Sequence, residues 1–236
     1  MNIVELCNRF AQRTGLPTGV TVFGGNSTLT QVAVLLDEVL DFLTTEYTYE
    51  TLVEEAVFTS VATELQGTLA AIAPNGYDRL RQDTFFDRTE NLQVLGPLTS
   101  TEWQAQKAMA TSGPYSWFRI KGGELFLQPA PPAGHTMAFE YMSNFAVVAS
   151  GGGRKRYATH DADTFLLPDH LLLAGLRWRW KAEKGFDYAE EFRSFETLAK
   201  SLAMTSGSAR AYSLDRDTPQ PHPGIIIPTG NWMTPS

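Results

Sequence analysis

The chain has 236 residues and a single cysteine, Cys7, which excludes an internal disulfide and any zinc site built on several thiolates. Its 26 acidic side chains outnumber 19 basic ones, and the formal charge of -7 argues against a protein whose main task is to grip phosphates, while leaving transient contact with DNA open. A chain this long can bury a full core, the start MNIVELCNRFAQR lacks the continuous apolar run of a signal peptide, and no window approaches the length of a membrane span, so a soluble protein made inside the cell is expected.

Ile3, Leu6, Cys7, Phe10 and Ala11 recur at helical spacing, and Thr14-Gly15 followed by Pro17 supplies a stop, so the first segment reads as a short amphipathic helix. After the glycine-rich stretch TGLPTGVTVFGGN, Thr28 with Gln31 forms a capping box ahead of Leu29, Val32, Leu36, Val39, Leu40 and Leu43. A second helix over about 28 to 45 is predicted. From 52 to 72 β-branched residues replace the helical period, which suits strands with a bulge or a break at Gly67. PNG at 74 to 76 is turn chemistry, and DTFFDRT at 83 to 89 reads as a short strand. The box Thr99-Ser100-Thr101-Glu102 opens a helix through Trp103, Lys107 and Met109 that Ser112-Gly113-Pro114 closes.

WFRIKGGELFLQP carries the clearest β signal: apolar residues alternate on either side of Gly122-Gly123, the chemistry of a tight hairpin. MAFEYMSNFAVV returns after PAPPAG as a third strand, so 117 to 148 is expected to be an antiparallel meander. Pro168 and Asp169 then open a helical pattern that runs to about Ala203. Unbroken, it would be roughly 54 Å long, about three times the usual helix. Lys184-Gly185 followed by Asp187 is equally the chemistry of a stop and a new cap. Leu171, Gly175, Trp178, Ala182, Ala189 and Phe192 share one broad face, which puts Trp178 in the core; Arg177, Lys181 and Lys184 share another. After Ser206 the prolines 219, 221, 223, 228 and 235 give an extended tail, whose Ile225, Ile226, Ile227 and Trp232 are apolar anchors for docking on a partner.

The pattern is that of an α+β protein: a helical bundle with a long C-terminal helix, a small antiparallel β meander and an extended C-terminal tail. Residues 1–205 read as one domain with strands mainly at about 52–90 and 117–148, and 206–236 as the tail.

Three constellations bear on chemistry. His160, Asp161 and Asp163 in THDADT resemble a cation loop, but the bend glycine and distal carboxylate of such loops are missing, and turn and cap chemistry accounts for them. GGGRKR at 151 to 156 sets Arg154, Lys155 and Arg156 behind a glycine turn, a contact for DNA or a neighbouring subunit as well as an ordinary solvated loop. Cys7 sits on an apolar helix face with no histidine near it and no GxSxG is present, while an acid pair such as Glu54 and Glu55 is of a kind any chain of this size offers. No catalytic, cofactor or metal residue is therefore assigned, and a non-enzyme is expected.

FRIKGGELFLQPAPPAG, then FEYMSNFAVV, then a glycine turn and HDADTFLLPDHLLLAGLRWRWKAEKGFDYAEEF, in that order over about 117 to 195, resemble the head-to-tail adaptor, or tail accessory factor, proteins of short-tailed bacteriophages. The helical opening NIVELCNRFAQRTGLP with LLDEVLDFL, and GPLTSTEW, are similar to the same family. The resemblance implies a virion protein assembled in the host cytoplasm, forming a dodecameric ring below the portal after genome packaging, with DNA leaving through its centre and the tail nozzle attached beneath. It implies a homo-oligomer with portal, nozzle and passing DNA as partners, and no membrane or cofactor. Arg154, Lys155, Arg156, Arg177, Arg179 and Lys181 would then be candidate contacts to subunits, portal or DNA. The competing reading is a tail-associated, muramidase-like enzyme that degrades peptidoglycan.

Overall fold

The computed structural model describes residues 1–25, 27–108 and 115–206. The docking anchors Ile225, Ile226, Ile227 and Trp232, with the rest of the tail beyond 206, lie outside the described residues, as do Met109 and the expected stop at Ser112-Gly113-Pro114.

Helix α1, Ile3–Thr14, forms as its spacing predicts: Ile3, Leu6, Cys7, Phe10 and Ala11 are fully buried. Asn2 and Glu5 close a capping box at its start, and Gly15 ends it in the left-handed conformation at φ 70°. Helix α2 spans Ser27–Glu46, so it begins before Thr28 and places that residue in its first turn. The 3-10 turn Glu50–Leu52 leads into β1, Val53–Thr59. Strand β2, Leu65–Thr68, follows, with a bulge between Leu65 and Gly67 as the glycine suggested. The short helix α3, Leu69–Ile72, occupies what was expected to be the end of a strand. Three brief strands come next: β3, Tyr77–Leu80; β4, Phe86–Asp87; and β5, Leu92–Gln93. Helix α4, Ser100–Ala108, starts at the predicted box, where Glu102 accepts from the Thr99 N–H at 2.8 Å.

Strands β6, Trp117–Lys121, and β7, Glu124–Gln128, form the predicted hairpin, its turn made by Gly122 and Gly123 at φ 62° and 78°. Strand β8 is Thr136–Ser143. It does not continue that hairpin, which corrects the expected meander. β6 and β7 pair with β2, whereas β8 pairs with β1 on one edge and with β3 and β4 on the other. The physical reason is long-range pairing: β1, β3 and β4 occupy the two edges of TMAFEYMS, and cover on both faces buries six of its eight residues. The two-residue strands β9, Val147–Val148; β10, Arg154–Lys155; and β11, Thr164–Phe165, make a third small sheet.

The C-terminal helical pattern is two helices, α5, Asp169–Glu183, and α6, Ala189–Ser206, in place of one long rod. Gly185 divides them at φ 71°: its N–H donates to the Ala182 carbonyl and that of Phe186 to Lys181, and Asp187 then caps the Ala189 N–H at 3.1 Å. The break resets the helical phase, so Phe195 and Ala199 are the buried residues of α6 while Ala189 is exposed. α5 lies close to α2 because a Cβ on Gly175 would meet Val39 Cγ1 at 2.4 Å.

Two buried clusters result among the described residues. One joins α1, α2, α5 and α6 with Leu52, Met142, Val147 and Leu167; the other packs Phe85, Phe118, Leu125, Leu127, Phe139 and Tyr141 between the two larger sheets. Among the described residues no helix is long and apolar enough to cross a membrane.

Candidate functional site

The described residues carry no cluster of histidine, cysteine and carboxylates suited to a metal. What the fold builds is a set of surfaces, beginning with α5. Trp178 is only 7% exposed, its ring set against Phe42, Phe192 and Phe195 at centroid distances of 6.3, 5.1 and 6.0 Å. The core reading of Trp178 therefore holds within one subunit. Trp180 meets Phe10 edge-on at 5.9 Å and carries the Lys184 ammonium 4.6 Å above its ring. Arg179 lies 4.9 Å over Trp178, with its Nε 2.9 Å from Glu38 on α2 without the alignment of a hydrogen bond. Lys181 pairs with Glu191 on α6 and, with Arg177, holds that carboxyl below its ordinary range. Arg177 is exposed and forms no ion pair of its own among the described residues.

The cations of GGGRKR all have partners inside the chain. Arg154 pairs with Glu54 of β1, Lys155 with Asp163 at 2.5 Å, and Arg156 with Asp41 of α2 at 3.0 Å, where Tyr157 also donates at 2.7 Å. Asp163 is fully buried and accepts from the backbone N–H groups of Ser150, Thr159 and His160. Burial alone would raise its carboxyl, but Lys155 and these three donors outweigh that and hold it below the usual range. Asp161 accepts from the N–H groups of Val22 and Phe23, tying the loop before α2 to this segment. THDADT thus serves as a backbone clamp.

Asp37 behaves oppositely. Desolvation, with Asp41 one turn further along α2, raises it from 3.8 to about 7, and its charge helps burial push the Cys7 thiol up to about 12. A carboxyl raised in the folded state is most favourable while protonated, so its contribution to stability declines as pH climbs from about 4 to about 7. Asp37→Asn is expected to flatten that slope and to stabilise the protein at pH 8 by about 2 kcal/mol after allowance for solvent screening. Urea midpoints at pH 4.5 and 8 check this; an unchanged slope in the variant would place the titration elsewhere.

On the outer face of the largest sheet, Val57 and Phe86 both flank Ala138 in register and are 50% and 41% exposed, an apolar stripe across three strands. Beside it Glu55 and Glu140 stand directly opposite each other, an unfavourable pair offset by Arg88 on the first and Arg81 on the second. Glu54 and Glu55, the acid pair considered for glycoside cleavage, are strand neighbours that point to opposite faces, and each is held by an arginine. At the α5–α6 turn Phe186 is 62% and Tyr188 44% exposed. An open groove of about 730 Å³ runs between α2 and α5, walled by Val34, Leu35, Glu38 and Trp180. Sequence reasoning missed Val57, Phe86, Phe186 and Tyr188; the alternation of Glu55, Val57 and Thr59 was the one available signal for the first of them.

Against known protein families, the model described as SU10 adaptor protein matches residues 1–221, well beyond the stretch from 117 to 195 that carried the resemblance. No curated protein matches the chain.

Proposed function

The chain belongs to the SU10 adaptor protein family, and on that premise we propose that it is a head-to-tail adaptor of a bacteriophage virion. Its copies form a dodecameric ring below the portal, extend the DNA channel after packaging and offer the platform for the tail nozzle. Residues 1–205 act as one adaptor domain, and the tail from 206 docks on a partner. The observation that carries the reading is the pair of separate exposed apolar patches, Val57 with Phe86 on the sheet and Phe186 with Tyr188 at the helix turn. A ring of identical subunits needs two different surfaces on each, because one patch of a subunit meets another patch of the next. The internally paired cations of 154 to 156 support passage of DNA without a firm grip on it, since phosphate binding scales with the charges free to neutralise it.

The mass of the purified protein, alone and then mixed with its portal ring, tests the proposal by light scattering or native mass spectrometry. A monomer that joins the portal at a fixed multiple of copies is expected. A protein that ignores the portal yet releases sugar fragments from peptidoglycan, an activity abolished by one carboxylate change, would replace the adaptor with the wall-degrading enzyme. Within the adaptor reading, Arg177, exposed on α5 and without an ion pair among the described residues, is the candidate contact to a neighbour. Arg177→Glu should leave a folded monomer whose attachment is weakened about tenfold or more. Normal affinity in the same mixing experiment would remove Arg177 from the interface.

A further inference from the structure

β1 is the longest strand with an unpaired edge among the described residues. Its register with β8 runs without a shift from Val53 to Thr59, and no other described segment bonds to its outer side. Alternate residues of such a strand turn N–H and C=O groups outward, a template for another strand. Proteins blunt such edges with a proline, a bulge or charged side chains; VEEAVFT has no proline or bulge, and its two charges, Glu54 and Glu55, are each neutralised by an arginine. Two other edges are managed: β2 is bulged at Gly67, and β6 is met by a bridge from Leu95 to Trp117.

The chain supplies a fitting strand. The family match ends at 221, and beyond it Pro223 and Pro228 bracket Gly224 and three consecutive isoleucines. Ile-Ile-Ile favours a pleated, half-buried setting, and the flanking prolines limit pairing to a few residues. From 218 to 236 there is no lysine, arginine or carboxylate side chain, so this stretch can lie along Val57 and Phe58 without burying a charge beside Glu54 and Glu55. Its origin is close. Tyr49 donates to the Ala199 carbonyl at 3.4 Å, so α6 packs on the turn that runs into Val53, and Ser206 lies about 10 Å further along the helix. The stretch from 207 to 224 extends to about 60 Å, more than enough to reach any point of a strand about 23 Å long.

We propose that in the free subunit residues 224–227 add to the open edge of β1 of their own chain as a short extra strand. This goes beyond the adaptor reading and stands without it. Hydrogen exchange on the full chain tests it, comparing the peptide covering 53 to 59 with the same peptide in Ile226→Pro, over about a hundredfold range of protein concentration. The outward amides of β1 should exchange about tenfold faster in the variant at every concentration, while α1 amides stay unchanged. If α1 protection also falls, the pair Ile225→Asp and Ile227→Asp repeats the test, since it keeps every N–H but cannot lie against Val57. Equal exchange in parent and variant overturns the proposal. Protection that appears only at high concentration also overturns it, because the strand would then belong to a second copy.

Discussion

Replacing Trp178 with alanine is expected to remove about 3 to 5 kcal/mol of stability, a large share of the roughly 5 to 15 kcal/mol that holds a typical single domain together. The indole is where α2, α5 and α6 meet, with Phe42, Phe192 and Phe195 on its faces and edges. Its Nε1 has no hydrogen-bond partner among the described residues, so the loss is one of packing and of the contact with the Arg179 guanidinium, and no freed acceptor adds to it. The hole cannot close by a small shift, because Gly175 already brings α5 against Val39. Trp180→Ala is the companion measurement. That ring is half-buried, and its loss should cost about 1 to 2 kcal/mol. Urea unfolding of the two variants side by side gives the answer, and equal effects would mean that Trp178 is not the centre of the helical layer.

Asp163→Ala should have an effect of similar size, about 3 to 5 kcal/mol, by another route. Removing the carboxylate takes the shared acceptor from three backbone N–H groups at a fully buried position and leaves the partly exposed Lys155 ammonium with the Thr159 hydroxyl. The segment from 150 to 163 would loosen, and with it the hold of Asp161 on the loop before α2. The effect depends on pH with a definite sign. Asp163 is depressed in the folded state, so its stabilisation is complete above the ordinary carboxylate range and is lost as pH falls through the lowered value. The gap in melting temperature between parent and variant should therefore be wide at pH 7 and narrow toward pH 3. A gap constant with pH would show that the carboxylate is not ionised in the fold.

Features whose cause is local were legible in the sequence. α1 with its glycine stop, the Thr99–Glu102 box, the Gly122-Gly123 hairpin and the Gly67 bulge each depend on a few adjacent residues, and each is present. The partners of β8 depend on chain segments 50 and more residues away, and nothing within MAFEYMS distinguishes a third meander strand from a central strand with β1 and β3 beside it. Strands of two residues, such as β4 and β9, are too short to show any period. At the candidate surfaces the residue types were visible but their partners were not. Arg154, Lys155 and Arg156 read as a basic run, and only the fold brings Glu54, Asp163 and Asp41 to them from three separate elements. Arg177 differs from Arg179 and Lys181 only by which way the helix turns it.

The bend at Gly185 bears on when the protein can be put to use. A single rod from Pro168 to Ser206 would stand with its flanks bare, and the chain would depend on company to finish its own interior. Folded back on itself, α6 brings Phe195 and Ala199 against α5 and α2 and completes the layer with material from the same polypeptide. Self-sufficiency of that kind uncouples folding from assembly, so on the adaptor function proposed above finished subunits would accumulate in a dormant pool and be drawn on when a docking site appears.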